Sequence, residues 1–300
     1  MRSCYESMLG RRPNPPELKH HVDAMMAGAS ERDVLDAFLR SDEFSVRQCR
    51  LKQNAEGKTE IASYFVHIPK TAGMSVKRWI ARGAEATGGR LFPGAFMEDL
   101  FNFEDARSYS HFAGHFGGFL APYLRRPIRS ATLLRDPVQR VISHHAHGAR
   151  DPNLPLHAII KGRSLEHVIN DSSARGYLEN FQAKFLAALD FGRYLLPHEI
   201  HDISWPKNDH DLLHAAEQNL EAIDVIGVLE DVDTFLDRLA VAWKLPRIDD
   251  LGVENSGYNR PLRELAPEVA DRLREMNAID YILYDRARSL PGRALARKSS

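Results

Sequence analysis

The stretch YFVHIPKTAGMSVKRWI, residues 64–80, limits the fold of this chain more than any other. It begins as a buried strand, breaks at Pro69, and resumes as a helix through a short Lys-Thr-Ala-Gly turn. A strand that enters a helix this abruptly gathers several backbone N–H groups and the positive end of the helix dipole at one point, which makes an anion site. Lys70 adds a full charge there. Ala72 and Gly73 let the backbone approach a phosphate, while Thr71 and Ser75 offer hydroxyl donors. The spacing Gly-x-x-x-x-Gly-Lys-Ser/Thr is absent, so this is a phosphate cradle without the nucleotide-triphosphate fingerprint.

A second segment repeats the design. SATLLRDPVQRVISHH ends a strand at Arg135 and starts a helix at Asp136-Pro137, with proline suited to the first turn. Ser143 follows Arg135 by about two helical turns, so a guanidinium fork and a hydroxyl can clasp a second phosphate. Two such sites in one domain predict a ligand with separated phosphates.

Around these segments, short apolar strands alternate with helices, which predicts an α/β sheet from residue 62 onward. Strands are expected at 63–68, 130–134 and 223–228, and helices at about 75–83, 137–147, 174–189, 231–243 and 267–288. Residues 1–50 read instead as a helical accessory module. Val22, Met25 and Met26, then Val34, Leu35, Phe38 and Leu39, recur at helical spacing, and Ser30 with Asp33 caps the third helix. This part resembles a small helical module of unknown function that recurs in bacterial proteins. The polar residues 51–61 read as a linker, 62–290 as the main domain, and 291–300 as a disordered basic tail.

The two phosphate segments together resemble sulfotransferases that use 3′-phosphoadenosine 5′-phosphosulfate (PAPS): HIPKTAGMS is similar to their 5′-phosphosulfate loop and RDPVQRVIS to their 3′-phosphate motif. The likeness is to the carbohydrate branch that includes heparan sulfate 2-O-sulfotransferase and its bacterial relatives. GHFGG (114–118), NFQAKFL (180–186), VIGVLEDVDTFLDRLA (225–240) and MNAIDYILYDRA (276–287) agree in order. The resemblance implies a P-loop-like parallel sheet flanked by helices, with PAPS as co-substrate and no metal. It implies that Lys70, Thr71, Ala72, Gly73, Met74 and Ser75 hold the 5′ end, with Lys70 at the bridging oxygen, and that Arg135 and Ser143 hold the 3′-phosphate. Ser256, Tyr258 and Arg260 are implied near the nucleotide. His115 is implied as general base, and Gln182 and Lys184 are implied beside a carbohydrate or glycoconjugate acceptor; should His115 prove dispensable, His111 is the next candidate. Two departures stand out: Met74 replaces the usual threonine, and Ala113-Gly114-His115 replaces a His-Gly-His triplet.

The residue types suit sulfuryl transfer, which needs positioning, a cation at the leaving oxygen and a base for the acceptor proton. An unperturbed histidine near pKa ~6.5 fits the last role. A nucleoside or small-molecule kinase would need a triphosphate loop and Mg²⁺ ligands, neither of which is visible. A catalytically inert nucleotide-binding scaffold is the other alternative. His144, His145 and His147 have no carboxylate partner in sequence and do not predict a metal site. His198, His201 and His210 are expected in a polar loop.

Charge and hydropathy bound the partners. Forty basic and 41 acidic residues give a net charge of −1, so no global field draws the chain to nucleic acid or to a membrane surface, and any anion site is local. No apolar run approaches the ~20 residues of a membrane span, and MRSCYESMLGRRPNPP lacks a signal-peptide core. Cys4 and Cys49 are the two cysteines, too few for a disulfide scaffold. A cytoplasmic location is expected.

Overall fold

The computed structural model describes residues 5–9, 12–39, 41, 43–44, 61–103, 105–189, 208–248 and 265–290. Among these residues, four strands, β1 (Ala62–Val66), β2 (His111–Gly114), β3 (Ile128–Leu134) and β4 (Val225–Val228), form one sheet in the order β2-β1-β3-β4, with every pairing parallel. The helices are α1 (Pro15–Met26), α2 (Glu31–Leu39), α3 (Gly73–Ala86), α4 (Met97–Asn102), α5 (Leu120–Leu124), α6 (Pro137–Arg150), α7 (Pro155–Ile160), α8 (Leu165–Val168), α9 (Arg175–Leu178), α10 (Phe181–Ala187), α11 (Asp209–Ala222), α12 (Val232–Trp243), α13 (Pro267–Met276) and α14 (Ala278–Ser289).

Strand alternation divides the core into two faces. Phe65, Ala113, Ala131, Leu133 and Val225 pack with Val76, Trp79 and Ile80 of α3 and with Phe235, Leu236 and Leu239 of α12. Tyr64, Val66, Phe112, Leu134, Ile226 and Val228 point the other way, into a cluster with α10, α11 and α14. Helices therefore cover both faces, as a parallel sheet requires. Tyr5, Met8, Val34, Leu35, Phe38 and Phe44 belong to that second cluster, so α2 and the segments around Tyr5 and Phe44 share its core. A third cluster joins α6 to α9 with α13. Among the described residues, no helix is long and apolar enough to cross a membrane.

Several expectations change on inspection. The strand β2 was not anticipated: HFAG is only four residues long and sets one large apolar side chain, Phe112, among a histidine, an alanine and a glycine. The expected helix 174–189 divides at Asn180, whose φ of 44° is left-handed. Its amide donates to Asn277 Oδ1 at 3.0 Å, and its Oδ1 accepts from Ile279 N–H at 3.1 Å. The helix expected at 267–288 likewise breaks at Asn277. His210 lies in the first turn of α11, not in a loop, while His198 and His201 lie outside the described residues.

In the N-terminal part, Ser30 and Asp33 form the expected reciprocal cap. Val22, Met25 and Met26, however, are exposed, and α1 buries no residue. It is His21 that packs, stacked on Phe38 at 5.0 Å with Nε2 on the Tyr5 hydroxyl at 3.1 Å.

Candidate active site

Ligands of open α/β sheets bind beyond the carboxyl ends of the strands, where the connections leave neighbouring strands in opposite directions. Here β1 connects to β2 on one side and β3 to β4 on the other, so that point lies between β1 and β3. Lys70 follows β1 and Arg135 follows β3. His115 follows β2 at the same edge. Topology thus brings together three residues that are far apart in sequence.

The Lys70 turn is built from left-handed backbone at non-glycine positions, φ 75° at Lys70 and 62° at Ala72. Such alternation directs successive N–H groups inward, as an anion nest requires. Thr71 is buried, and its hydroxyl donates back to the Ile68 carbonyl at 2.9 Å, which stiffens the turn. Gly73 starts α3 against the His67 ring, Ser75 is buried, and Met74 is exposed.

Arg135 is buried, and its guanidinium donates to the Lys70 carbonyl at 3.2 Å, linking the two strand ends. Asp136 caps α6 by accepting the Gln139 N–H at 2.8 Å, with Pro137 in the first turn as expected. Ser143 lies half-buried on α6. One face of that helix carries Arg140, His144, His147 and Arg150 at three- and four-residue spacing. Burial, together with Arg150, Arg135 and Arg140, lowers Lys70 to about 8. Arg140 is fully buried, donating to Tyr177 O at 3.0 Å and lying 4.5 Å over the Phe181 ring. Burial takes it to about 10, against the pull of Asp280.

His115 is framed by its neighbours. The Tyr64 hydroxyl donates to Gly114 O at 3.3 Å and accepts the Phe116 N–H at 3.0 Å, bracketing the residue from β1. Its own N–H donates to Ala95 O at 2.6 Å, and Gly114 is required because a Cβ there would lie 2.4 Å from that oxygen. Lys77 on α3 fixes the same loop through the Pro93 and Gly94 carbonyls at 3.0 and 3.3 Å. The imidazole is stacked on His67 at 4.8 Å and lies 5.3 Å from the exposed Phe96 ring. Burial brings its pKa to about 4, with the His67 backbone pulling up and Lys77 pulling down, well below the ~6.5 expected from sequence. Its Nδ1 has no hydrogen-bond partner among the described residues. His111 opens β2, at the opposite end from the Lys70 turn.

Gln182 and Lys184 are both buried on α10 but, two residues apart, they project in different directions. Gln182 faces the Arg135 backbone. Burial lowers Lys184, with Glu179 and Asp280 opposing, and its Nζ has no partner among the described residues. Phe185 turns its ring toward His115 at 5.7 Å. Ser256, Tyr258 and Arg260 lie outside the described residues. Among those described, no group of three or more His, Cys, Asp or Glu side chains could hold a metal ion.

Sequence reasoning missed His67, Lys77, Arg140, Arg150 and Asp280. The stripe Arg140, His144, His147, Arg150 was visible as a helical period; the ring stack and Asp280 left no such signal.

Comparison with known proteins bears on the N-terminal part. Residues 1–48 match a domain of unknown function (DUF4214), to which this segment is similar. No curated protein matches the chain.

Proposed function

We propose that residues 62–290 form a P-loop-like sulfotransferase domain that moves the sulfuryl group of PAPS to a hydroxyl of a carbohydrate acceptor. One observation carries this reading: Arg135 is tied to the Lys70 carbonyl at the switch point of the sheet, so the two strand ends that carry these cations lie side by side. A ligand with two separated anionic groups fits that pair, and a ligand with one does not need it. The carbohydrate acceptor rests on the resemblance of residues 62–288 to the carbohydrate branch.

The donor set fits the co-substrate. Lys70 and the left-handed turn through Ala72, with Thr71, Gly73, Met74 and Ser75, would hold the 5′ phosphosulfate end. Arg135 and Ser143 would hold the 3′-phosphate. The co-substrate supplies a sulfuryl group on a phosphate leaving group. Lys70 meets the negative charge left on the bridging oxygen as its bond to sulfur breaks. His115, neutral at pH 7, takes the acceptor's hydroxyl proton as the new oxygen–sulfur bond forms. With a pKa near 4 it is a weak base, so the proton leaves after the hydroxyl oxygen has begun to lose charge to sulfur.

The test is calorimetry with 3′-phosphoadenosine 5′-phosphate (PAP) against AMP. PAP should bind far better, and Arg135→Ala should remove that advantage while leaving AMP nearly unchanged. Equal affinities overturn the reading. A PAPS-dependent screen of desulfated glycans, read by mass, identifies the acceptor; turnover of ATP that EDTA abolishes and Mg²⁺ restores would favour the kinase.

A further inference from the structure

We infer that Gln182 and Asp280 are positioning residues that hold Arg135 in its anion-binding place; the role given to Arg135 rests on the proposed function. Arg135 stands one residue beyond the last paired position of β3, where Leu134 meets Val228. Its backbone has left the ladder at the point where its side chain must be aimed. Gln182 takes over as a substitute strand: its Oε1 accepts the Arg135 N–H at 3.0 Å, and its Nε2 donates to the Arg135 carbonyl at 2.9 Å. The side chain is fully buried, so no water competes for these bonds.

Gln182 is itself held from α14. The carboxylate of Asp280, fully buried, accepts the Gln182 N–H at 3.1 Å and the Ala183 N–H at 2.7 Å. Asn180 and Asn277 bond the same two helix starts to each other. The chain of bonds then runs from Asp280 through the α10 amides to Gln182, to the Arg135 backbone, and through the Arg135 guanidinium to the Lys70 carbonyl. Arg135 hangs on it directly, and Lys70 is touched only at its far end, where its turn is also fixed by the Thr71 hydroxyl on the Ile68 carbonyl. A glutamine spent in this way is not free to grip an acceptor, which replaces the role the family resemblance gives to Gln182.

The experiment uses the full chain with Gln182→Glu and Gln182→Met. A protonated glutamic acid reproduces the clasp, its O–H donating where Nε2 did and its C=O accepting the Arg135 N–H. Ionised, it sets a carboxylate against the Arg135 carbonyl. Burial raises the pKa of such a carboxyl, so Gln182→Glu should match wild-type preference for PAP over AMP near pH 5 and lose it as pH rises, relative to wild type at each pH. Gln182→Met should lose about tenfold or more of PAP affinity at every pH, with AMP within about threefold, because two buried backbone groups lose their partners.

Amide exchange without ligand gives an independent readout. Peptides covering residues 133–138 and 64–70 should lose protection in Gln182→Met, while β4 keeps its own. A wild type that binds PAP and AMP equally would sink the cofactor reading, and exchange would still decide the clasp. Unchanged exchange at 133–138 in Gln182→Met, or a Gln182→Met protein that keeps the wild-type preference for PAP over AMP, overturns the inference.

Discussion

Gly73→Ala tests whether the crevice is built around the His67 ring. A Cβ at residue 73 would lie 1.8 Å from His67 Cδ2 and 1.9 Å from Nε2, well inside any tolerated contact. The ring has little room to retreat, since His115 is stacked on it at 4.8 Å and Phe65 at 6.2 Å. Overpacking of this kind costs ~1–3 kcal/mol. Alanine's helix advantage over glycine, at most ~1 kcal/mol, counts for little at the first helical position. A net loss of ~1–3 kcal/mol follows, with His115 displaced as the ring shifts. Urea unfolding of wild type, Gly73→Ala, His67→Ala and the double variant measures it as a thermodynamic cycle. Because the clash needs both the methyl and the imidazole, the double variant should be more stable than the sum of the singles predicts, by nearly the whole cost. A Gly73→Ala protein within about 0.5 kcal/mol of wild type, or one that loses as much stability when His67 is already alanine, refutes the reasoning.

Lys70 should couple ligand affinity to pH. Held at about 8 by burial and three arginines, it is protonated at pH 7, and a bound anion raises its pKa. PAP affinity should therefore fall by up to about tenfold per pH unit above 8, until the bound-state pKa is passed. Calorimetry at pH 8.5 in two buffers of different ionisation enthalpy should show proton uptake, absent in Lys70→Arg; no uptake in wild type would count against the assignment. Acid should unfold the protein early. His67, His111, His115 and His144 all have pKa values lowered by burial, His111 and His115 to about 4. The unfolded chain binds protons from about pH 6.5 downward while the fold does not, so stability falls as pH drops through that window. Each histidine contributes at most ~1.4 kcal/mol per pH unit, so four together are bounded by about 5.5 kcal/mol per pH unit. A flat urea midpoint from pH 6.5 to 5 would contradict this. Deleting residues 1–58 removes Tyr5, Met8, Val34, Leu35, Phe38 and Phe44 from the core they share with the sheet, and should lower thermal stability while PAP binding persists. Loss of PAP binding would show that the N-terminal part shapes the crevice.

The parallel sheet and its two strand-to-helix turns were legible because their signals are local. Pro69, the Lys-Thr-Ala-Gly turn and Asp136-Pro137 each announce a boundary within a few residues. β2 was not legible, since a four-residue strand with a histidine and a glycine carries no alternation of its own and is defined by pairing with β1. The breaks at Asn180 and Asn277 were hidden for a related reason. Each asparagine interrupts a helix by bonding across almost 100 residues to the other break. Lys70 and Arg135 were found as types at strand ends and His115 through the family resemblance, but not what surrounds them. The buried stack of His67 on His115 and the clasp of Gln182 on Arg135 are tertiary facts. The same limit explains the pKa of His115: its ordinary value holds for an exposed imidazole, and nothing in Ala113-Gly114-His115 tells how closely Ala95, Phe96 and Lys77 enclose it.

The arrangement of acids bears on where an anion gains most, although the chain as a whole carries a net charge of −1. The carboxylates at this edge already serve the scaffold. Asp136 caps α6 and accepts the Tyr281 hydroxyl at 3.2 Å. Glu230 accepts the Asp136 N–H at 3.0 Å and the Tyr284 hydroxyl at 2.9 Å. Asp280 holds the start of α10. Their charges favour Arg135 and Arg140, through Glu230 and Asp136 for the first and Asp280 for the second. Lys70 differs: the influences on it are burial, Arg150, Arg135 and Arg140, and all of them disfavour its charge. An incoming anion therefore gains most at Lys70, because there it relieves repulsion instead of competing with a resident carboxylate. The acids favour the arginines and leave the lysine as the point of highest anion demand, which is where the proposed sulfuryl transfer would need a cation.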